Sequence, residues 1–289
     1  MRPSGGDYGK SASALLPGGL YLVATPIGNL RDVSLRALDT LAGAGAIACE
    51  DTRVTAKLLA RHGISRPLIA YHDHNAERVR PRLLERLQAG EAIALVSDAG
   101  SPLIADPGFK LVRETVARGI PVTAVPGPSA AVAALQLSGL PADRFFFAGF
   151  LPAKPTARRK SLSEIAGVPG TLIFFETAPR LARALADMAE IFGPRPAAVA
   201  RELTKMFEEV RRGPLPDLAR HYGEAGPPKG EMVVVVAPPD SHPGATDVDG
   251  ALRTALARLS PSAAAAEVAR VTGISRRELY RRALELKPK

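Results

Sequence analysis

The sequence has no tryptophan, a single cysteine and few aromatic rings, and each scarcity excludes something. Phe, Trp and Tyr make up 5% of 289 residues. So few rings argue against a base-stacking platform as the main binding device. The lone Cys49 excludes an intrachain disulfide and a multi-cysteine zinc site. Its setting, A-I-A-C-E, reads as a strand and favours a buried thiol over a nucleophile. No apolar run reaches the roughly 18 residues of a membrane span. The first 19 residues carry no apolar signal-peptide core and read as a flexible tail, so a cytoplasmic protein with no membrane attachment is expected. A Gly-x-Ser-x-Gly elbow, a Walker lysine loop and a G-x-G-x-x-G fingerprint are also missing. Hydrolase, NTPase and nicotinamide oxidoreductase readings therefore lack support. Apart from His72 and His74 the histidines are scattered, and no metal is expected.

What is present is an apolar, basic, turn-rich chain. Hydrophobic residues make up 46%, Gly and Pro number 26 each, and the net charge is +9. That charge suits a polyanionic partner. Short apolar runs at 20–24, 46–49, 68–70, 92–96 and 120–124 alternate with amphipathic stretches at 34–41, 52–61, 76–88 and 109–118. Such alternation predicts a mostly parallel sheet with helices on both faces. A linker near 140–143 leads to a second α/β unit with strands at 145–150, 171–175, 197–200 and 232–237. The expected organisation is a tail over 1–19, α/β domains over 20–140 and 141–240, and a helical domain over 247–289. In the last, Ser260-Pro261 opens one helix, Gly273 stops it and Ser275-Arg276-Arg277-Glu278 forms a capping box. Nine Lys or Arg against five acids give this helix-turn-helix-like piece a charge of +4, which suits either a nucleic-acid contact or a solvated cap.

Three of the first five strands end in unusual loops. They are T-P-I-G-N at 25–29, S-D-A-G-S-P running on to I-A-D-P-G at 97–108, and P-G-P-S-A at 126–130. In open α/β sheets ligands bind beyond the carboxyl ends of strands. These loops hold no Lys or Arg, so they are not built for phosphate. They offer backbone amides and carbonyls, hydroxyls, and carboxylates at Asp98 and Asp106. That lining suits ribose hydroxyls, an adenine edge and a positive charge. In the later half, F-F-E-T-A-P-R at 174–180, R-E-L-T-K at 201–205 and K-G-E at 229–231 carry further charge. Glu202, Lys205 and Glu209 have the spacing of helical ion pairs. Asp51 in C-E-D-T-R suits a helix N-cap. Lys154, Arg158, Arg159 and Lys160 read as a basic loop able to contact a phosphate backbone.

Seven motifs in order resemble the tetrapyrrole methylase superfamily and, within it, the ribosomal RNA small subunit methyltransferase I family. They are TPIGNL-x-D-x-S-x-R-A at 25–37, CEDTR at 49–53, HDHN at 72–75, SDAGSP-x-I-x-DPG at 97–108, PGPSA at 126–130, REL-T-K at 201–205 and KGE at 229–231. The resemblance implies two α/β domains with S-adenosylmethionine in the cleft between them. It implies a homodimer, and methyl transfer to the 2′-hydroxyl of a cytidine in 16S rRNA, at the decoding centre of the small ribosomal subunit. A cofactor without phosphate explains why no glycine cradle is needed. Implied cofactor contacts are Pro26, Gly28, Asn29, Asp98, Ala99, Gly100, Ser101, Ile104, Ser129 and Ala130, with Phe175, Leu203 and Gly230 across the cleft. Candidate bases are Asp51, Glu176 and Lys205. Expected RNA contacts are Arg53, Arg158, Arg159, Lys160, Arg180, Arg276 and Arg277. The family's usual Glu-x-x-His-Arg reads Glu176-Thr177-Ala178-Pro179-Arg180 here, which argues against an essential histidine base. Ser101 replaces the commoner threonine and keeps the hydroxyl. Two rivals are a corrin or porphyrin-precursor methylase on the same fold and a non-catalytic nucleic-acid-binding protein.

Overall fold

A computed structural model of the chain describes residues 16–239, 248–272 and 274–286. Most of the expected N-terminal tail, residues 240–247 and the helix stop at Gly273 lie outside the described residues.

The first sheet is built from β1 (Gly19–Val23), β2 (Ala46–Cys49), β3 (Leu68–Ala70), β4 (Ala92–Val96) and β5 (Val122–Val125). Its order is β3-β2-β4-β1-β5 and every pair is parallel. Strands β2 and β4 are buried at every position, as continuous apolar runs covered on both faces must be. Cys49 is buried in this core. The fifth strand begins at 122 rather than the expected 120, because Pro121 has no amide to give the ladder. Helices α1 (Leu35–Gly43), α2 (Thr52–Arg61), α3 (Ala76–Gln88) and α4 (Phe109–Ala117) are the connections. Ser34 caps α1 by accepting from the Ala37 amide at 3.1 Å, and Asp51 caps α2.

The second sheet combines β6 (Phe145–Phe150), β7 (Thr171–Thr177), β8 (Pro196–Arg201), β9 (Glu209–Pro214) and β10 (Glu231–Val236) in the order β6-β7-β10-β8-β9. Only β6 and β7 run parallel. Three helices accompany it: α6 (Pro155–Ile165), α7 (Ala178–Phe192) and α8 (Leu215–Ala225). Strand β9 replaces the helical pairing expected around Glu209. Its E-V-R-R sequence is an edge strand guarded by charge. Glu209 there pairs with Arg201 at 2.7 Å and Arg211 at 3.1 Å, not with Lys205.

The two sheets are joined by α5 (Ala130–Ser138), which leaves the end of β5 and packs on the second sheet. Ala131, Ala134 and Leu135 are buried against Ile173, Ala200, Leu203 and Val233. A run of alanines lets the helix lie close to the strands. Its first turn is thereby fixed between the sheets. Beyond them, α9 (Val248–Leu256), α10 (Pro261–Thr272) and α11 (Arg276–Leu286) share a small core of Leu252, Ala264 and Leu279. The Glu278 amide donates to Ser275 Oγ at 3.2 Å, capping α11, and Arg282 pairs with Asp249 at 2.6 Å. Among the described residues no helix is long and apolar enough to cross a membrane.

The expected basic loop at 154–160 is corrected. Pro155 sits at the start of α6, where its missing amide costs nothing, and residues 155–160 are helical. Arg158 is only 4% exposed. Its Nε meets Asp187 Oδ2 at 2.6 Å, and its guanidinium also donates to the Ala153 carbonyl. It clamps α6 to α7 and is not free to meet RNA. Arg159 pairs with Glu190, and Lys160 remains exposed. Breaking a buried pair leaves a stranded charge and costs about 3–5 kcal/mol. Arg158→Ala is therefore expected to lower the unfolding free energy by that order, seen as a lower urea midpoint, without changing the salt dependence of RNA binding. A variant of parental stability, measured by urea denaturation, would contradict the assignment.

Candidate functional site

The carboxyl ends of β1, β2 and β4, the start of α5 and the facing ends of β6, β7, β8 and β10 enclose a cleft of about 300 Å³. The three loops singled out in the sequence all reach it. Thr25 and Gly100 exchange backbone hydrogen bonds at 2.8 and 3.1 Å, tying the first loop to the second. Thr25 Oγ1 donates to the Ser97 carbonyl at 3.1 Å. Among the described residues, the non-glycine residues with positive φ are Leu103, Ala105, Glu202 and Thr204, and all lie on the loops around this cleft. Each costs on the order of 1–3 kcal/mol, a strain that gathers where a ligand must be held.

Of the expected cofactor contacts, Asp98, Ala99, Gly100, Ser101, Ile104, Ser129, Ala130, Phe175 and Leu203 line the cleft. Pro26, Gly28, Asn29 and Gly230 do not. Asn29 instead caps a short turn by accepting from the Arg31 amide at 3.1 Å. The two glycines make room for a neighbour. A Cβ on Gly28 would lie 2.7 Å from Lys205 Cγ, and one on Gly230 would lie 2.0 Å from Glu202 Oε1. Lys205 Nζ and Glu202 Oε1 form an ion pair of 2.9 Å in the space left. Thus a glycine from each half seats one ion pair at the cleft.

Six carboxylates line the cleft, those of Glu50, Asp98, Asp106, Glu176, Glu202 and Glu231, against one cation, Lys205. Burial, then the charge of Glu50, pushes Asp106 up to about 6, although a hydrogen bond from Ser97 opposes this. Burial and Asp98 also raise Glu50. Glu176 is 1% exposed. Its Oε1 accepts from the Thr177 amide at 2.8 Å and faces Arg180 Nε at 3.2 Å, while Oε2 is buried without a hydrogen-bond partner. Arg180, expected at RNA, is committed to Glu176 and to the Leu151 carbonyl.

Asp51 is placed differently from its expected role. It lies outside the cleft lining, caps α2 and is gripped by Arg53 through contacts of 3.0 and 2.6 Å. Those hydrogen bonds hold it down to about 2, which makes it a poor proton acceptor. Sequence reasoning missed Glu50, Glu231 and Phe150 as lining residues. Glu50 and Glu231 stood inside noted motifs, but only the pairing of β10 with β7 brings Glu231 to the cleft. Nothing in the sequence pointed to Phe150.

The donor set can hold a small cation that also carries a carboxylate. Acidic side chains and loop carbonyls face the positive groups. The first turn of α5, whose Ser129 makes no side-chain cap, leaves amide donors for an anion.

Tetrapyrrole (Corrin/Porphyrin) Methylases match residues 19–219, and the RsmI C-terminal HTH domain matches 242–287. The Ribosomal RNA small subunit methyltransferase I of Mesorhizobium japonicum is 54% identical, over 93% of this chain and 92% of its own. That of Erythrobacter litoralis is 53% identical, over 97% and 99%. Among solved structures, uroporphyrin-III-C-methyltransferase from Thermus thermophilus superposes with a TM-score of 0.54 at 26% identity, over 75% of this chain and 94% of that one. A family model over most of the chain and identity above half along nearly the whole of it have one meaning: the chain belongs to the tetrapyrrole methylases and, among them, to the ribosomal RNA small subunit methyltransferase I family.

Proposed function

We propose that this chain transfers the methyl group of S-adenosylmethionine to ribosomal RNA, and specifically to the 2′-hydroxyl of a cytidine in the 16S rRNA at the decoding centre of the small subunit. The observation that carries the reading is a contrast of sign. A chain of net charge +9 keeps a cleft lined by six carboxylates and one lysine. An acidic cleft suits a cofactor with a sulfonium and an ammonium, and a basic exterior suits RNA. The names of the curated relatives support the acceptor class.

In this reading Asp98, Gly100, Ser101 and Ile104 hold the cofactor from one side, with Phe175 and Leu203 as the facing wall. Glu50, Asp106 and Glu231 would supply negative potential, and the amides at Ser129 and Ala130 would receive the cofactor's carboxylate. S-adenosylmethionine, when bound, supplies an electrophilic methyl group that needs no further activation. The protein's task is the nucleophile. A ribose hydroxyl keeps its proton at neutral pH, so a base assists as the new bond forms, worth about 10²–10⁴-fold. Glu176 Oε2 is the acceptor favoured here, because Glu176 lines the cleft and this buried oxygen has no hydrogen bond of its own. Lys205, held by Glu202, orients the hydroxyl oxygen. Alignment contributes more than the base, up to roughly 7–11 kcal/mol. Of the expected RNA contacts, Arg276 and Arg277 are exposed, and Lys160, Arg53 and Arg159 join them where their acidic partners yield. A homodimer belongs to the same reading, with the exposed Phe145 and Phe146 of edge strand β6 as the strip that a second copy would cover.

The experiment is methyl transfer from labelled S-adenosylmethionine to small subunits that lack the modification, with free 16S rRNA and a precorrin-type tetrapyrrole in parallel. Label on one cytidine ribose is the expected result. Label on the tetrapyrrole alone would overturn the reading. Glu176→Gln is expected to lower the single-turnover rate about 10²-fold with cofactor affinity retained, and an unchanged rate would remove Glu176 from the mechanism.

The cofactor should also bind with a definite pH dependence. Asp106 titrates near 6, so it is ionised at pH 7.5 and attracts a cation. As pH falls through 6 it protonates and that attraction is lost. Binding of a cation favours the charged carboxylate, so protons and cofactor compete. Calorimetric affinity is expected to be weaker at pH 5 than at pH 7.5. A flat or inverted profile would contradict it.

A further inference from the structure

Behind the turn that carries Lys205 lies a second cavity, of about 450 Å³, lined by Arg201, Phe207, Arg211, His221 and Lys229 among others. Glu202 lines both this cavity and the cleft, so the two share a wall. The segment between them is fixed. The Lys205 amide donates to the Glu202 carbonyl at 3.0 Å, and the Glu208 amide to the Lys205 carbonyl at 3.2 Å. The Glu208 carboxylate accepts from the Thr204 amide at 2.7 Å. These turns put Lys205 on the cleft and Phe207 on the second cavity. Phe207 is 69% exposed. Holding a phenylalanine in water forgoes most of the stabilisation its burial would give. The bonded turn leaves the face of the ring open at the mouth of the second cavity. The rim is basic. Arg201 and Arg211 share the single carboxylate of Glu209, Lys229 is exposed, and Glu202 is already tied to Lys205.

We propose that this cavity is a nucleotide subsite, in which Phe207 stacks the base next to the methylated nucleotide while Arg211 and Lys229 hold its phosphate. The inference rests on the reading of the chain as an RNA methyltransferase. Its physical ground is the cost of presenting a ribose to a confined cleft. The target nucleotide must leave its stack, and a neighbouring base loses a partner when it does. A ring beside the cleft replaces that partner. Single-stranded nucleic acid is recognised by aromatic faces flanked by cations, and both line this cavity.

The chain has no tryptophan, so Phe207→Trp introduces a single indole at the subsite, excited at the red edge where the tyrosines do not absorb. Its fluorescence is expected to be quenched by small subunits and by a cytidine-containing oligoribonucleotide, and not by an abasic oligomer of the same length. Losing a base–aromatic stack of about 1–3 kcal/mol corresponds to a 5- to 150-fold rise in KM for subunits. Phe207→Leu is expected to show that rise and Phe207→Tyr to avoid it, with cofactor affinity unchanged in both. If the wild-type protein methylates RNA and Phe207→Leu keeps its KM, the subsite is wrong and the functional reading stands. If Phe207→Leu instead turns dimers into monomers on sedimentation at unchanged KM, the ring belongs to a contact between copies and the subsite is overturned. If the wild-type protein methylates no RNA, both inferences fall together.

Discussion

Repulsion among carboxylates at the cleft is the constraint on which the rest of the arrangement depends. Glu50, Asp98, Asp106 and Glu231 come together from both halves of the molecule, and burial first, then the charge of Glu50 and its neighbours, lifts Asp106 to about 6. Its folded pKa lies above the ordinary carboxylate value, so the folded protein holds that proton more tightly. Stability contributed by the proton is present at low pH and is lost as pH rises toward 6. At neutral pH the unliganded site therefore works against the fold. The compensation lies elsewhere, in the packed cores of the two sheets. A cationic ligand relieves the repulsion, so ligand binding and stability share one cause.

The backbone around the cleft carries a second cost for the same end. Positive φ at Leu103, Ala105, Glu202 and Thr204 is sustained because neighbouring contacts over-determine it. The Thr25–Gly100 bridge holds one strained loop, and the bonds within 202–208 hold the other. Helix α5 unites the halves, since it begins at the cleft and ends buried in the second sheet. Gly28 and Gly230 then let Lys205 and Glu202 meet between them. Rigid loops on packed elements are what a reaction governed by alignment needs.

Much of this was legible in the sequence, for identifiable reasons. The parallel sheet showed because its strands are continuous apolar runs broken by Gly and Pro. The cleft loops showed because they are rich in Gly and Pro at the carboxyl ends of strands, and their lack of cations argued against phosphate. What stayed hidden depends on distant partners. Arg158 looked like a loop cation because Asp187, which buries it, lies 29 residues away. Strand β9 was missed because a charged edge strand has no apolar run to reveal it. Asp51 offered two readings, cap and base, and only the grip of Arg53 separates them. Glu231 reaches the cleft through antiparallel pairing that no local pattern announces.

The most direct test of this electrostatic design is one substitution read in two ways. Asp106→Asn removes a cleft charge and keeps the shape of the side chain. Thermal stability of the ligand-free variant at pH 7.5 and its calorimetric affinity for S-adenosylmethionine are measured against the parent. Higher stability with weaker cofactor binding is the expected pair of results. Lower stability with undiminished affinity would mean that Asp106 belongs to the scaffold and that the acidic cleft does not select its ligand by charge.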